Sequence, residues 1–128
     1  MEIYTPPATG NNAFDTYFAW LIEILRRISI GQFTPFQTFA DGDTTPAVGD
    51  GVCFKTANTG ATTISDFDDG LDGQFIVVVI NDSDTTVDFT SSGLKGNGGG
   101  DWSPAAGDFM ICIYDGTDWY CNVVDTTA

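Results

Sequence analysis

Apolar residues in the first quarter of the chain recur at spacings of four, three, four and three, as Phe14, Phe18, Leu21, Leu25 and Ile28. That is the rhythm of a helical seam, and it predicts one helix over about residues 13 to 30. Asn11 or Asn12 can cap its start. Asp15 lies in the first turn, where the helix dipole favours an anion, Arg26 and Arg27 lie near the end, and Gly31 can close it. Tyr17, Trp20, Ile22, Ile24 and Ile30 widen the apolar surface well beyond a narrow seam, leaving Asp15, Glu23, Arg26 and Arg27 as the plainly polar positions. Such a helix must be covered on most sides, either by packing across its own β-domain or by self-association. The breadth of the stripe favours self-association, most simply as a trimer. A helix this short does not trimerise stably alone and needs the β-domain or another protein to help.

Ahead of the helix, Pro6, Pro7 and Gly10 make residues 1 to 10 an extended arm of the kind that wraps a neighbour. After Gly31 the helical period disappears and the chain reads as β. Candidate strands fall at about 33 to 39, 52 to 56, 61 to 67, 74 to 80, 85 to 90, 109 to 114 and 118 to 124, with Asp-Gly and Gly-rich turn signals between them. Gln74 to Ile80 is apolar on consecutive positions, which predicts a central strand buried on both faces. Within this region two segments echo each other at an offset of 23 residues: Thr62-Thr63-Ile64 leading to Gly70-Leu71-Asp72-Gly73, and Thr85-Thr86-Val87 leading to Gly93-Leu94-Lys95-Gly96. The β-branched triplets favour strands, the glycines supply positive φ at sharp bends, and the Leu between them can plug the core. Two copies are fewer than the roughly three that a solenoid usually needs. The expected architecture is therefore mainly β: residues 1–31 an arm plus apolar anchoring or oligomerisation helix, residues 32–128 a β-sandwich or jelly-roll-like knob, with a short β-solenoid as the alternative.

Length and charge then narrow the chemistry. At 128 residues the chain holds one principal domain, and 18 acidic against 4 basic residues give a formal charge of −14. Nearly all the acids are Asp, which suits turns more than helices. Nucleic acid and anionic membranes are disfavoured, because both need clustered Lys and Arg. The acidity acts as a solubilising coat, or as a surface that attracts cations or a basic partner. No basic n-region follows Met1, so the mature protein is expected to begin at or near it. The longest apolar run, Phe75 to Ile80, is far too short to span a bilayer.

Histidine is absent, which removes the commonest general base and transition-metal ligand. Asp66, Asp68, Asp69 and Asp72 can in principle form a glycosidase-like pair or bind Ca²⁺. The segment lacks the Gly and distal Glu of a Ca²⁺ loop, and turn-making is the ordinary use of such Asp runs. No cofactor, metal or catalytic residue is expected. Asn97-Gly98-Gly99-Gly100 lacks the Lys-Ser/Thr ending of a phosphate loop and reads as a turn. Trp102, Trp119 and Tyr120 are the candidates for a sugar-stacking platform, with core or rim packing as their commoner use. Cys112 and Cys121 flank the Asp115-Gly116-Thr117-Asp118 turn. They fall opposite each other if the hairpin centres between Gly116 and Thr117, whereas a register centred on Asp-Gly sets Cys112 opposite Trp119. Buried free thiols are the favoured state for both, and Cys53 reads the same way.

Residues from about Gly51 to Val124 resemble a module that recurs in bacteriophage tail fibres, head fibres and capsid decoration proteins. The resemblance is carried by Thr62-Thr63-Ile64-Ser65-Asp66-Phe67, Asp72-Gly73-Gln74-Phe75-Ile76-Val77, Asp84-Thr85-Thr86-Val87, Leu94-Lys95-Gly96 and Tyr114-Asp115-Gly116-Thr117-Asp118-Trp119. It covers a little over half the chain and implies a trimeric, β-rich knob of a virion without catalytic residues. The implied role is a capsid decoration (cement) protein whose partners are its own copies and the major capsid or another virion protein. Phe14, Tyr17, Phe18, Leu21, Ile24, Leu25 and Ile28 are then the oligomerisation or capsid-binding residues. The alternatives are a short tail or head fibre that binds host glycans through Trp102, Trp119 or Tyr120, and a small glycan hydrolase, which the lack of histidine argues against.

Overall fold

The computed structural model describes residues 12–29 and 34–126. The expected arm, the caps Asn11 and Gly31, and Ile30 lie outside the described residues. The chain divides into two compact units, Met1–Phe33 and Thr34–Ala128.

Among the described residues the first unit holds one helix, α1 (Asn12–Ser29), with Asp15 in its first turn and Arg26 and Arg27 in its last. Phe14 and Phe18, one turn apart, bring their rings to 5.2 Å, and Tyr17 lies 5.9 Å from Trp20. Glu23 accepts from Arg26 at 2.9 Å and Arg27 at 3.4 Å, the i,i+3 and i,i+4 pairing that supports an exposed helix face.

Among the described residues the second unit has eight short strands: β1 (Gln37–Thr38), β2 (Cys53–Lys55), β3 (Thr62–Ile64), β4 (Phe75–Val79), β5 (Thr85–Val87), β6 (Leu94–Lys95), β7 (Phe109–Tyr114) and β8 (Trp119–Val124). Six form one sheet in the order β1-β2-β4-β7-β8-β6, and β3 and β5 form a second. Strands β1 with β2, β2 with β4, β3 with β5 and β6 with β8 pair parallel, whereas β4 with β7 and β7 with β8 pair antiparallel. A jelly roll is antiparallel throughout, so this mixed pairing departs from that expectation.

The parallel pairs follow from the repeat. Thr62, Thr63 and Ile64 stand opposite Thr85, Thr86 and Val87, so the two echoing triplets lie side by side in register. The chain makes a circuit of 23 residues and returns alongside itself, the local geometry of a solenoid turn. Like residues then meet on like faces: Ile64 and Val87 are buried, and the hydroxyls of the buried Thr62 and Thr85 donate to Gly60 O and Asp82 at 2.8 Å. Strands β2 and β4 repeat the relation with Cys53 opposite Val77. Regularity is lost afterwards, where β7 returns antiparallel to β4 and a hairpin leads into β8.

The second half of each echoing unit behaves differently from expectation. Leu94 is fully buried, but Leu71 is 68% exposed. Of the four glycines only Gly73 takes positive φ, at 85°. Gly70 and Gly96 are required instead for close approach: a Cβ on Gly70 would lie 2.7 Å from the Trp119 ring, and one on Gly96 only 2.5 Å from the Cys121 carbonyl oxygen. Gly93-Leu94-Lys95-Gly96 is thus not a turn but carries strand β6.

One apolar cluster joins the inner faces of both sheets, with Phe54, Ile76, Val78, Met110, Cys112 and Trp119 from the larger and Ile64 and Val87 from the smaller. Phe39 stacks on Phe54 at 5.2 Å, and Trp119 is clasped between Tyr114, stacked at 4.6 Å, and Phe67, edge-on at 5.4 Å. Strand β4 corrects the expectation of two-sided burial. Ile76 and Val78 are buried, but on the other face Phe75 is 42% exposed and Val77 and Val79 are only half-buried.

Candidate functional site

The residues singled out on the helix remain at its surface. Phe14, Tyr17 and Trp20 are exposed, and Phe18, Leu21, Ile24 and Leu25 are half-covered. None of the helix side chains among the described residues is buried. Ile28 lies within α1, but its side chain is outside the described set. The apolar periodicity thus forms a helix whose aromatic surface meets solvent, and large exposed apolar surface is the usual mark of a contact site. The helix is not long and apolar enough to cross a membrane, nor is any other among the described residues.

The aromatic trio does not form a platform. Trp102 and Trp119 are buried, 8% and 1% exposed, and both belong to the core cluster. Tyr120 follows Trp119 directly along β8, so its side chain lies on the opposite face, where it is 49% exposed. Its hydroxyl donates to Asp115 Oδ2 at 3.1 Å, a bond that holds the phenol pKa above its ordinary value. A sugar-stacking surface built jointly from the three is corrected by their placement: Trp102 and Trp119 are core residues, and Tyr120 is the exposed one of the three.

The aspartates serve the backbone. Asp115 Oδ1 accepts the amide N–H groups of Thr117 and Asp118 at 2.8 and 2.7 Å, closing the β7–β8 turn, and these bonds hold its carboxyl below the usual range. Asp88 does the same for Ser91 and Thr90. Asp41 binds Thr59 through its hydroxyl and its N–H at 2.6 and 2.9 Å, bonds that lower its pKa. Asp82 reaches furthest. Its Oδ1 accepts from the amides of Asp84 and Thr85, and its Oδ2 accepts from Asn58 N at 2.9 Å, tying successive circuits of the chain together. Burial pushes the Asp82 carboxyl up, but hydrogen bonds from Thr56, Asn58, Asp84 and Thr85 outweigh it, leaving the pKa below its ordinary value.

Three of the carboxylates considered for catalysis or Ca²⁺ have separate local settings. Asp66 accepts from Phe67 N at 2.8 Å, Asp68 from the Thr45 hydroxyl at 3.1 Å, and Asp69 occupies left-handed backbone at φ 61°. Among the described residues no three His, Cys, Asp or Glu side chains converge as a metal site. Asn97–Gly99 forms a short 3-10 turn, closed by Asn97 Nδ2 donating to Gly100 O at 2.9 Å. Cys112 stands directly opposite Cys121, the register with the hairpin centred between Gly116 and Thr117. Both thiols are free, as is Cys53, and burial pushes the Cys112 thiol up, keeping it protonated.

Sequence reasoning missed the outward face of the larger sheet. Phe75, Ile113 and Tyr120, side by side on β4, β7 and β8, are all strongly exposed and rim an open depression of about 550 Å³ that also reaches Lys95 and Asn122. The signal was available in Gln74–Ile80, whose apolar residues occupy both faces of a strand. No protein-family model, curated protein or solved structure matches the chain.

Proposed function

We propose that the protein is a non-enzymatic virion structural component, a capsid decoration (cement) protein of a bacteriophage, assembled as a homotrimer on the capsid surface. The observation that carries this reading is the α1 surface, where Phe14, Tyr17 and Trp20 stay exposed on a helix with half-covered apolar residues around them. Such a surface calls for a macromolecular partner, and in this reading it seats on the major capsid protein or another virion protein. The β unit supplies a rigid, acidic, sandwich-like knob facing solvent, its aspartates committed to turns and its Trp residues to the core. The phage assignment itself rests on the resemblance of residues 51–124 to virion modules.

Imaging of the virion tests the proposal by position and copy number. Three copies at each threefold position of the capsid are expected, and a protein attached only at the tail overturns it. The fibre alternative predicts selective binding on a glycan array. Trp102 and Trp119 lie in the core, which leaves Tyr120 as the exposed ring of the three, and the decoration reading expects no such binding.

A further inference from the structure

We propose that Cys112 and Cys121 form a dithiol site that a low-molecular-weight disulfide, such as glutathione disulfide, oxidises to a bridge across β7 and β8. Such a bridge staples the hairpin from its inner face, whether or not the chain belongs to a virion.

The hairpin register brings the two residues together, directly opposite each other on antiparallel strands. Nearer the turn, Tyr114 stands opposite Trp119, yet Tyr114 N donates to Gln74 O and Trp119 N to Gly93 O, both at 2.9 Å. That pair therefore turns its backbone groups away from each other. Antiparallel pairs alternate, so Cys112 and Cys121, two residues further on, form a pair of the same non-hydrogen-bonded kind. The Cys121 carbonyl oxygen accordingly lies on the β6 side, where a Cβ on Gly96 would come within 2.5 Å of it. In such pairs the Cα atoms stand about 4.5 Å apart, inside the range of about 4.4–6.8 Å that a disulfide spans. Both side chains share the inner face of the sheet: Cys112 belongs to the core cluster and Cys121 packs against it. A side-chain hydrogen bond joins them, so the two sulfurs already meet.

The third cysteine does not compete. Cys53 stands opposite Val77, which faces outward while Ile76 and Val78 face the core, so Cys53 lies on the other face of the sheet with β4 between it and β7. Exposure sets the order of events. Cys121 is half-buried and Cys112 fully buried, so Cys121 meets the oxidant first. Its thiol gives a proton to water and its sulfur attacks one sulfur of glutathione disulfide. The S–S bond of the oxidant breaks, and the departing glutathione thiolate takes up a proton. The Cys112 thiol then loses its proton, and its sulfur attacks Cys121 Sγ and expels the second glutathione. Two electrons pass from the protein to the oxidant, and the two thiol protons end on two glutathione thiols. Burial pushes the Cys112 thiol up, so this second step is favoured by rising pH.

The test treats the folded full chain with excess glutathione disulfide at about pH 8, quenches with acid, blocks the remaining thiols with N-ethylmaleimide in urea and digests with trypsin. Arg26, Arg27, Lys55 and Lys95 set the cuts, so Cys112 and Cys121 share the peptide 96–128 while Cys53 lies in 28–55. The expected result is a 96–128 peptide lighter by two hydrogens and carrying no maleimide, with Cys53 blocked. The oxidised chain should also unfold at a higher urea midpoint than the reduced one, because a closed ring of about ten residues restricts the unfolded chain. A 96–128 peptide that carries two maleimides, or that stops at one glutathione on Cys121, overturns the proposal. So does a bridge through Cys53, a bridge that forms only when urea is present during oxidation, or a urea midpoint no higher than that of the reduced chain.

Discussion

Replacing Asp82 by Ala should show how far one carboxylate holds successive circuits of the β unit together. Asp82 accepts Asp84 N, Thr85 N and Thr85 Oγ1 on Oδ1, at 2.9, 2.9 and 2.8 Å, and Asn58 N on Oδ2 at 2.9 Å, with Thr85 Oγ1 also 3.0 Å from Oδ2 and the Thr56 hydroxyl as a further donor. Hydrogen bonds to a charged acceptor are worth about 1.5–3 kcal/mol each, but several on one carboxylate are not additive, and water reaches this half-buried site. Removing one negative charge from a chain of −14 also relieves some repulsion. The expected loss is about 2–4 kcal/mol, read as a fall of roughly 1–2 M in the urea midpoint with the slope unchanged. Asp82→Asn should fall between. Its remaining carbonyl oxygen can keep the local turn at Asp84 and Thr85, while its amide would face the Asn58 N–H and lose the link across circuits. Because the folded pKa of Asp82 is lowered, its contribution is present above the unfolded value and is lost as pH falls through the folded one. The gap between wild type and Asp82→Ala should therefore narrow below about pH 4. An Ala variant within about 0.5 kcal/mol of wild type at pH 7, or a gap that persists unchanged at low pH, would refute the reasoning.

Three further outcomes are expected. Leu94→Ala should cost about 2–5 kcal/mol by emptying a fully buried site, whereas Leu71→Ala, at the echoing position, should stay within about 0.5 kcal/mol; equal effects in denaturant titrations would deny the asymmetry. Gly96→Ala drives a Cβ to 2.5 Å from the Cys121 carbonyl oxygen and should destabilise by about 1–3 kcal/mol or more, with β6 displaced from β8 in amide hydrogen exchange. Gly93→Ala, whose Cβ would meet only ordinary contacts from 3.6 Å, is the control expected to cost less than about 1 kcal/mol. Asp41, Asp88 and Asp115 also have lowered pKa values and the chain has no histidine, so stability should be flat between about pH 5 and 8 and fall below about pH 4; a transition near pH 6.5 would contradict this.

The legible parts of the sequence were those governed by near neighbours. Phe14, Phe18, Leu21, Leu25 and Ile28 announce α1 because helix hydrogen bonds and side-chain contacts span only three or four residues. The Asp115 turn was visible for the same reason: its carboxylate bonds amides two and three residues on, and the choice between two hairpin registers needed only the pairing of Cys112 with Cys121. Strand β6 was not legible, since Leu94 and Lys95 are two residues between glycines and their partners, Trp119 and Tyr120, lie in a distant segment. The aromatic trio misled because Trp119 and Tyr120 are adjacent in sequence but lie on opposite faces of a strand.

By itself the sequence determined a mostly β chain with one apolar helix, an acidic coat drawn from turn-making aspartates, and two matching Thr-Thr-Ile/Val strands. These features depend on local stereochemistry and on composition, which every residue carries with it. The tertiary structure alone decided that the matching strands lie parallel and in register, that Leu94 is buried while Leu71 is not, and that the sheet leaves Phe75, Ile113 and Tyr120 open to water. Those outcomes depend on which distant segments meet: an apolar residue on a strand is core or contact surface according to what the rest of the chain places over that face.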